Sequence, residues 1–182
     1  MKPLVRAVSL MILMFVAVAA VGQSSNPKPA PELRQEDVWV GDWTFSGTAK
    51  DTPTGPEYKV DWQMHSHWIL GGFSLESNST WKGNGKKLQL LEIGSYDPIK
   101  RIHVLSGFGS DGTTWVLTAT FDNETSVESG TTTDPNGTLT NFRNTFIFSS
   151  DRMAVSGTEE SEQNGVRWTS FQVKGTKSKT AH

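Results

Sequence analysis

The histidines are the first place to look for chemistry in this 182-residue chain, which has four of them and no cysteine. His65 and His67 are two apart in an extended segment, so both rings leave the same face. Such a pair can hold a metal when a neighbouring strand supplies a third ligand. It lies opposite the face that carries Trp62 and Met64, and no motif supplies that ligand, so the pair is expected to face solvent and no metal site is expected. His103 alternates with Ile102 and Val104 and is placed on the outside by the same reasoning, and His182 is the last residue. Glu92, Tyr96 and Arg143 are candidate polar members of a pocket, although exposure is the usual fate of such side chains. There is no Gly-x-Ser-x-Gly elbow, no phosphate-cradling glycine loop and no paired-cysteine site. Gly107, Gly109 and Gly112 cluster where a turn accounts for them. No cofactor is implied by any of these patterns.

Aromatic residues carry a stronger signal, with seven tryptophans and nine phenylalanines. Trp62, Trp68, Trp115 and Trp168 fall on positions that can line an interior. Trp62, Met64, Trp68, Trp115 and Phe142 are the expected wall of a pocket for a flat or extended apolar ligand. The plain alternative is that large side chains fill the interior of a narrow barrel. The few basic residues are scattered apart from a short 174–179 tail, which argues against nucleic acid as a partner.

These residues are positioned by strands. From Asn84 onward, turn residues recur at near-even intervals: Asn84-Gly85, Asp97-Pro98, Asp111-Gly112, Asp122-Asn123, Asn136-Gly137, Ser150-Asp151 and Asn164-Gly165. Asn-Gly and Asp-Gly tolerate the positive φ of tight hairpins and so signal antiparallel neighbours. Earlier turns at 51–56 and 71–72 complete ten candidate strands, at about 43–50, 58–69, 73–82, 87–96, 100–108, 113–121, 124–133, 138–148, 152–162 and 166–174. Within them the apolar period is two: Tyr58, Val60, Trp62, Met64 and Trp68 share a face, as do Trp115, Leu117, Ala119 and Phe121, and Phe142, Phe146 and Phe148. The one helix candidate is short, 31–39, with proline in its first turn. Ten short antiparallel strands with short connections favour an all-β up-and-down meander closed into a barrel, which removes both sheet edges. A two-sheet sandwich is the alternative, and it ordinarily needs longer crossings.

The first 22 residues read as a signal peptide: Lys2 and Arg6, an apolar run from Val8 to Val21, then the small residues Ala20, Val21 and Gly22. The run is too short for a stable span of the roughly 30 Å hydrocarbon core, the alternative being an uncleaved anchor. Cleavage after Gly22 leaves no membrane span and a periplasmic or secreted protein, with a flexible leader at 23–30, a barrel at 31–176 and a polar tail at 177–182.

Gly41-Asp42-Trp43, entering the first strand, resembles the Gly-x-Trp that opens lipocalin-like (calycin-type) barrels. In that group the tryptophan packs across one end and closes the barrel, a role the resemblance implies for Gly41 and Trp43. Trp68-Ile69-Leu70-Gly71-Gly72-Phe73, Gly94-Ser95-Tyr96-Asp97-Pro98 and the Asp111-Gly112 hairpin are similar to those of an uncharacterised exported bacterial family of such barrels, which carries only a domain-of-unknown-function label. Phe73 stands where that family leads one to expect a basic side chain. The resemblance covers about 31–176 and implies a fold rather than an activity.

The leading expectation is therefore an exported barrel that binds a small, largely apolar molecule without transforming it. The alternatives are a small cavity enzyme of isomerase, hydratase or cyclase type using a buried carboxylate or histidine, and a solid barrel acting through its outer surface. A haem barrel would need an axial histidine on an interior face, which the pattern does not place. A cavity lined by aromatics alone favours carriage, and a titratable group inside it favours an enzyme.

Overall fold

The computed structural model describes residues 27–178. The expected signal peptide at 1–22 and its cleavage point lie outside the described residues. A 3-10 helix at Pro31–Trp39 precedes ten strands. They are β1 (Gly41–Ala49), β2 (Tyr58–Ile69), β3 (Ser74–Gly83), β4 (Lys86–Asp97), β5 (Ile102–Gly109), β6 (Thr114–Asp122), β7 (Thr125–Thr133), β8 (Leu139–Phe148), β9 (Ala154–Gln163) and β10 (Val166–Lys177). A one-turn 3-10 segment, Leu70–Gly72, joins β2 to β3.

Each strand pairs antiparallel with the next, and β1 also pairs with β10, so the sheet closes into the expected ten-stranded meander barrel. The turn chemistry behaves as its residues dictate. Asn84-Gly85 and Asn164-Gly165 both take positive φ at two successive positions, the backbone of a type I′ hairpin.

The helix covers one end of the barrel. Pro31 sits in its first turn, and Leu33, Glu36, Val38 and Trp39 are buried beneath it. Trp39 meets Trp43, Phe146 and Phe148 edge-on, at ring separations of 5.9, 5.0 and 4.7 Å. Trp43 is 1% exposed, and its indole Nε1 donates to the Trp39 carbonyl at 3.1 Å. Gly41 has φ +111°, so the bend from the helix into β1 strains any residue with a side chain. Lys177 pairs with Trp43 across β1 and β10, puts its ammonium 5.4 Å from the Trp43 ring and donates to the Val38 carbonyl. β10 therefore runs one residue past the expected barrel end at 176, and its last residue pins the helix.

One strand faces opposite to expectation. In β5 the buried stripe is His103, Leu105 and Gly107, while Ile102 and Val104 are only half-buried. Both stripes of this strand contain aliphatic residues, so the apolar period could not decide its facing. The helix decides it by supplying a buried partner for His103.

Candidate functional site

The barrel interior is not filled. It holds a cavity of about 290 Å³, at the small end of the ~300–1,000 Å³ typical of small-molecule sites. Of the five expected wall residues, Trp62, Met64, Trp115 and Phe142 line it, joined by Trp81, Phe121, Phe146 and Phe171. Trp62 stacks on Phe45 at 4.2 Å, which fixes its ring against the barrel wall.

Trp68 does not line the cavity. It follows Trp62 by six residues, about 20 Å along an extended strand, and this carries it past the cavity to the helix-covered end. There its Nε1 donates to Asp37 Oδ1 at 2.7 Å, and the Arg34 guanidinium lies 4.6 Å above its ring. Trp168 is also elsewhere, donating to the Lys50 carbonyl at 3.0 Å and tying β10 to the loop after β1. Arg143 is exposed, and Tyr96 is half-buried with its ring edge-on to His103.

Four carboxylates share the cavity wall: Glu36 from the helix, Glu92 from β4, Glu128 from β7 and Glu159 from β9. Among the described residues, no lysine, arginine or histidine lines it with them. Each carboxylate is oriented by its own neighbour. Trp115 Nε1 donates to Glu92 Oε2 at 2.6 Å. Gly107 makes that contact possible, since a Cβ there would lie 1.9 Å from the Trp115 ring. Asn144 Nδ2 donates to Glu128 Oε2 at 3.1 Å. The Ser170 and Ser161 hydroxyls donate to Glu159 Oε1 at 2.5 and 3.2 Å. Ser170 reaches it because the β9–β10 register slips by one residue there, a bulge that re-aims a side chain toward the interior.

Glu36 Oε1 meets His103 Nδ1 at 2.7 Å, and His103 Nε2 faces Gln35 Oε1 at 3.1 Å. His103 is thus buried rather than exterior, but both ring nitrogens are engaged and it does not reach the cavity as a free ligand. Two acceptors that border the cavity lack a partner: Glu36 Oε2 and Asn144 Oδ1, on residues only 1% and 8% exposed. The indole Nε1 of Trp62 is likewise buried and unpaired.

Burial sets the electrostatics. Removal from water pushes the Glu128 carboxyl up to about 8, with repulsion from Glu92, Glu159 and Glu36 adding to it and the Asn144 hydrogen bond opposing it. Burial likewise raises Glu92 to about 7 against the Trp115 hydrogen bond, with Glu36 adding repulsion. Glu159 and Glu36 are also raised, burial outweighing the serine hydroxyls in one case and His103 in the other.

The exposed histidine pair behaves differently. His65 Nδ1 meets Asp42 Oδ1 at 2.7 Å, and the His65 and His67 rings lie 5.4 Å apart on the outer face. No group of three or more histidines and carboxylates suited to a metal ion occurs among the described residues.

Glu128, Glu159 and Asn144 were not visible as site residues because their strands offer little to read. β7, Thr-Ser-Val-Glu-Ser-Gly-Thr-Thr-Thr, and β9, Ala-Val-Ser-Gly-Thr-Glu-Glu-Ser-Glu-Gln, have polar residues on both faces. β8 did carry a signal. Asn144 lies midway along the stripe of Phe142, Phe146 and Phe148, so it had to face inward, and Glu128 and Glu159 are its paired neighbours on either side.

Among solved structures, the crystal structure of Rv2717c from M. tuberculosis is similar at a TM-score of 0.64, with 13% identity over 84% of this chain and 100% of that one. This likeness shows the fold. The S-type phycobiliprotein lyase CPES from Guillardia theta aligns over the same shares at 10% identity and a TM-score of 0.47. No curated protein matches the sequence. A family model described as "Protein of unknown function (DUF1579)" matches residues 29–174, and the chain belongs to that family.

Proposed function

We propose that this chain is exported and that its barrel binds a small molecule with an apolar body in the internal cavity. The observation that carries the reading is the unfilled interior, walled by Trp62, Trp81, Trp115 and Phe142 yet lined by four carboxylates. A cavity serving only as core would not retain desolvated carboxyls, since each costs free energy there without stabilising the fold. The expectation of a small, largely apolar ligand is refined accordingly. The occupant needs a hydrogen-bond donor for the unpaired Asn144 Oδ1 and a polar group that can face the carboxyls of Glu128 and Glu159. Export rests on Lys2, Arg6, the Val8–Val21 run and the small residues ending at Gly22. N-terminal sequencing of extracytoplasmic protein should begin near Gln23, and an intact Met1 in the membrane fraction would refute export.

The binding claim is tested with N-phenyl-1-naphthylamine, a neutral apolar probe. Native protein should bind about one equivalent with quenching of tryptophan emission, and Met64→Trp should fill the space and lose the binding. Absence of saturable binding would overturn it.

A second reading, a cavity enzyme, is favoured by one observation: Glu128 is held protonated near neutral pH while hydrogen-bonded carboxylates stand across the same cavity. That is how an acid–base pair is built. It differs from carriage in one respect, chemical change of the bound molecule, which mass spectrometry of a bound ligand before and after incubation distinguishes.

A further inference from the structure

We propose that the cavity selects an organic cation, a protonated or quaternary amine on a compact aromatic or alkyl body, held by Glu128, Glu92 and Glu159 against the aromatic wall. This rests on the binding reading above and names the class of its ligand.

Charge balance is the first support. Four carboxylates border one cavity, and among the described residues no cationic side chain borders it with them. The cations at the helix end are engaged elsewhere, Lys177 on the Trp43 face and the Val38 carbonyl and Arg34 on the Trp68 face and Asp37. Only Glu36 has a basic partner, His103, so a bound cation offsets the charge that Glu92, Glu128 and Glu159 carry when deprotonated.

The unpaired groups give a second, independent support. Asn144 Oδ1 and Glu36 Oε2 are buried acceptors without a donor, and against these two the wall offers one unpaired donor, the indole Nε1 of Trp62. A protonated primary amine brings up to three donors, whereas a quaternary amine brings none and is held by charge and the aromatic faces alone.

The third is the wall. Tryptophan and phenylalanine faces attract cations by their quadrupole, and the attraction strengthens when water is excluded. Aromatics and the ~300 Å³ scale of the space suit an organic body, whereas a bare metal ion would leave most of it empty. A carboxylate ligand meets the opposite field and is excluded. The raised carboxyl titrations agree: an empty acidic cavity holds protons, and a bound cation displaces them.

The pH dependence follows from the groups facing the site. These are Glu36 from the helix, with His103 of β5 behind it, Glu92 from β4, Glu128 from β7 and Glu159 from β9. As pH rises through the Glu92 and Glu128 titrations the cavity gains negative charge, so a permanently charged ligand should bind more tightly at pH 9 than at pH 6.

The test uses four ligands with one body: 3-phenylpropylammonium, its N-trimethyl analogue, 3-phenyl-1-propanol and 3-phenylpropionate, titrated calorimetrically into the full mature barrel. The expected result is at least tenfold tighter binding of both cations than of the alcohol at pH 8. The trimethyl compound should weaken toward pH 6, and propionate should not bind. Glu128→Gln keeps an acceptor for Asn144 Nδ2 and should cut cation affinity at least tenfold, a larger factor than any change in affinity for the alcohol. Equal affinity for alcohol and cations, or preference for propionate, overturns the proposal while the binding reading stands. If all four fail but N-phenyl-1-naphthylamine still binds, the proposal is again overturned. If that probe fails as well, the binding reading falls with it.

Discussion

Two regions of the barrel's interior are built on opposite principles. At the helix end, Trp39, Trp43, Phe45 and Phe148 form a packed aromatic cluster, with Trp43 and Phe45 at 1% and 0% exposure. Beside it, Glu92, Glu128, Asn144 and Glu159 face a space that nothing fills. The first arrangement gains stability from every buried ring. The second gives stability up, because it desolvates carboxyls beside one another. Interior polarity that weakens a fold and is held in place by specific hydrogen bonds is better explained by use than by folding.

That contrast can be broken at its strong end first. Trp43→Ala should destabilise the barrel by about 3–5 kcal/mol, the range for truncating a buried tryptophan, and a melting curve within a degree or two of wild type would mean the helix end is not the anchor.

The acidic region should respond to pH in the opposite sense from ordinary carboxylates. Glu92 and Glu128 titrate higher in the fold than the usual 4.5 of an unfolded glutamate. A raised acid favours folding while protonated, so the stability it contributes is full below about pH 4.5 and is lost as pH rises through 7 and 8. The ligand-free protein should therefore melt more than about 4 °C lower at pH 9 than at pH 6, equivalent to more than ~1 kcal/mol for a domain of this size. Glu128→Gln should flatten that slope. A slope unchanged by the substitution would place the titration elsewhere.

Trp68 sharpens the boundary between the two regions. Its hydrogen bond to Asp37 and its stacking under Arg34 hold the outer side of the helix. Trp68→Ala should cost about 1–2 kcal/mol and leave probe binding unchanged within twofold. Loss of binding would extend the cavity to this end.

The smallest effect is expected on the outer face. Replacing His65 and His67 together should change stability by under about 1 kcal/mol, since the His65–Asp42 pair is exposed and screened by solvent. Stoichiometric metal lost in the double variant would contradict that.

The regular parts of this architecture were legible because hairpins announce themselves. Asn84-Gly85 and Asn164-Gly165 admit few backbones, and the alternation in β2, β6 and β8 has a single apolar face. Gly41 and Trp43 carried the closing end by resemblance. The acidic region was harder to read, because its strands break the rule that the apolar stripe points inward. β7 and β9 are polar on both sides, and β5 is aliphatic on both, so the facing of Glu128, Glu159 and His103 is set by pairing with Asn144 and by the helix residue Glu36. Trp68 misled for a geometric reason: sharing a face with Trp62 does not mean sharing a depth.

The central claim is that the interior keeps protonatable carboxyls facing an open space, and carbon-13 NMR titration of the glutamate side chains measures it directly. At least one carboxyl should titrate between about 7 and 8, vanish in Glu128→Gln and shift downward when 3-phenylpropyltrimethylammonium is added. A protein in which every glutamate titrates near 4.5 would contradict the account.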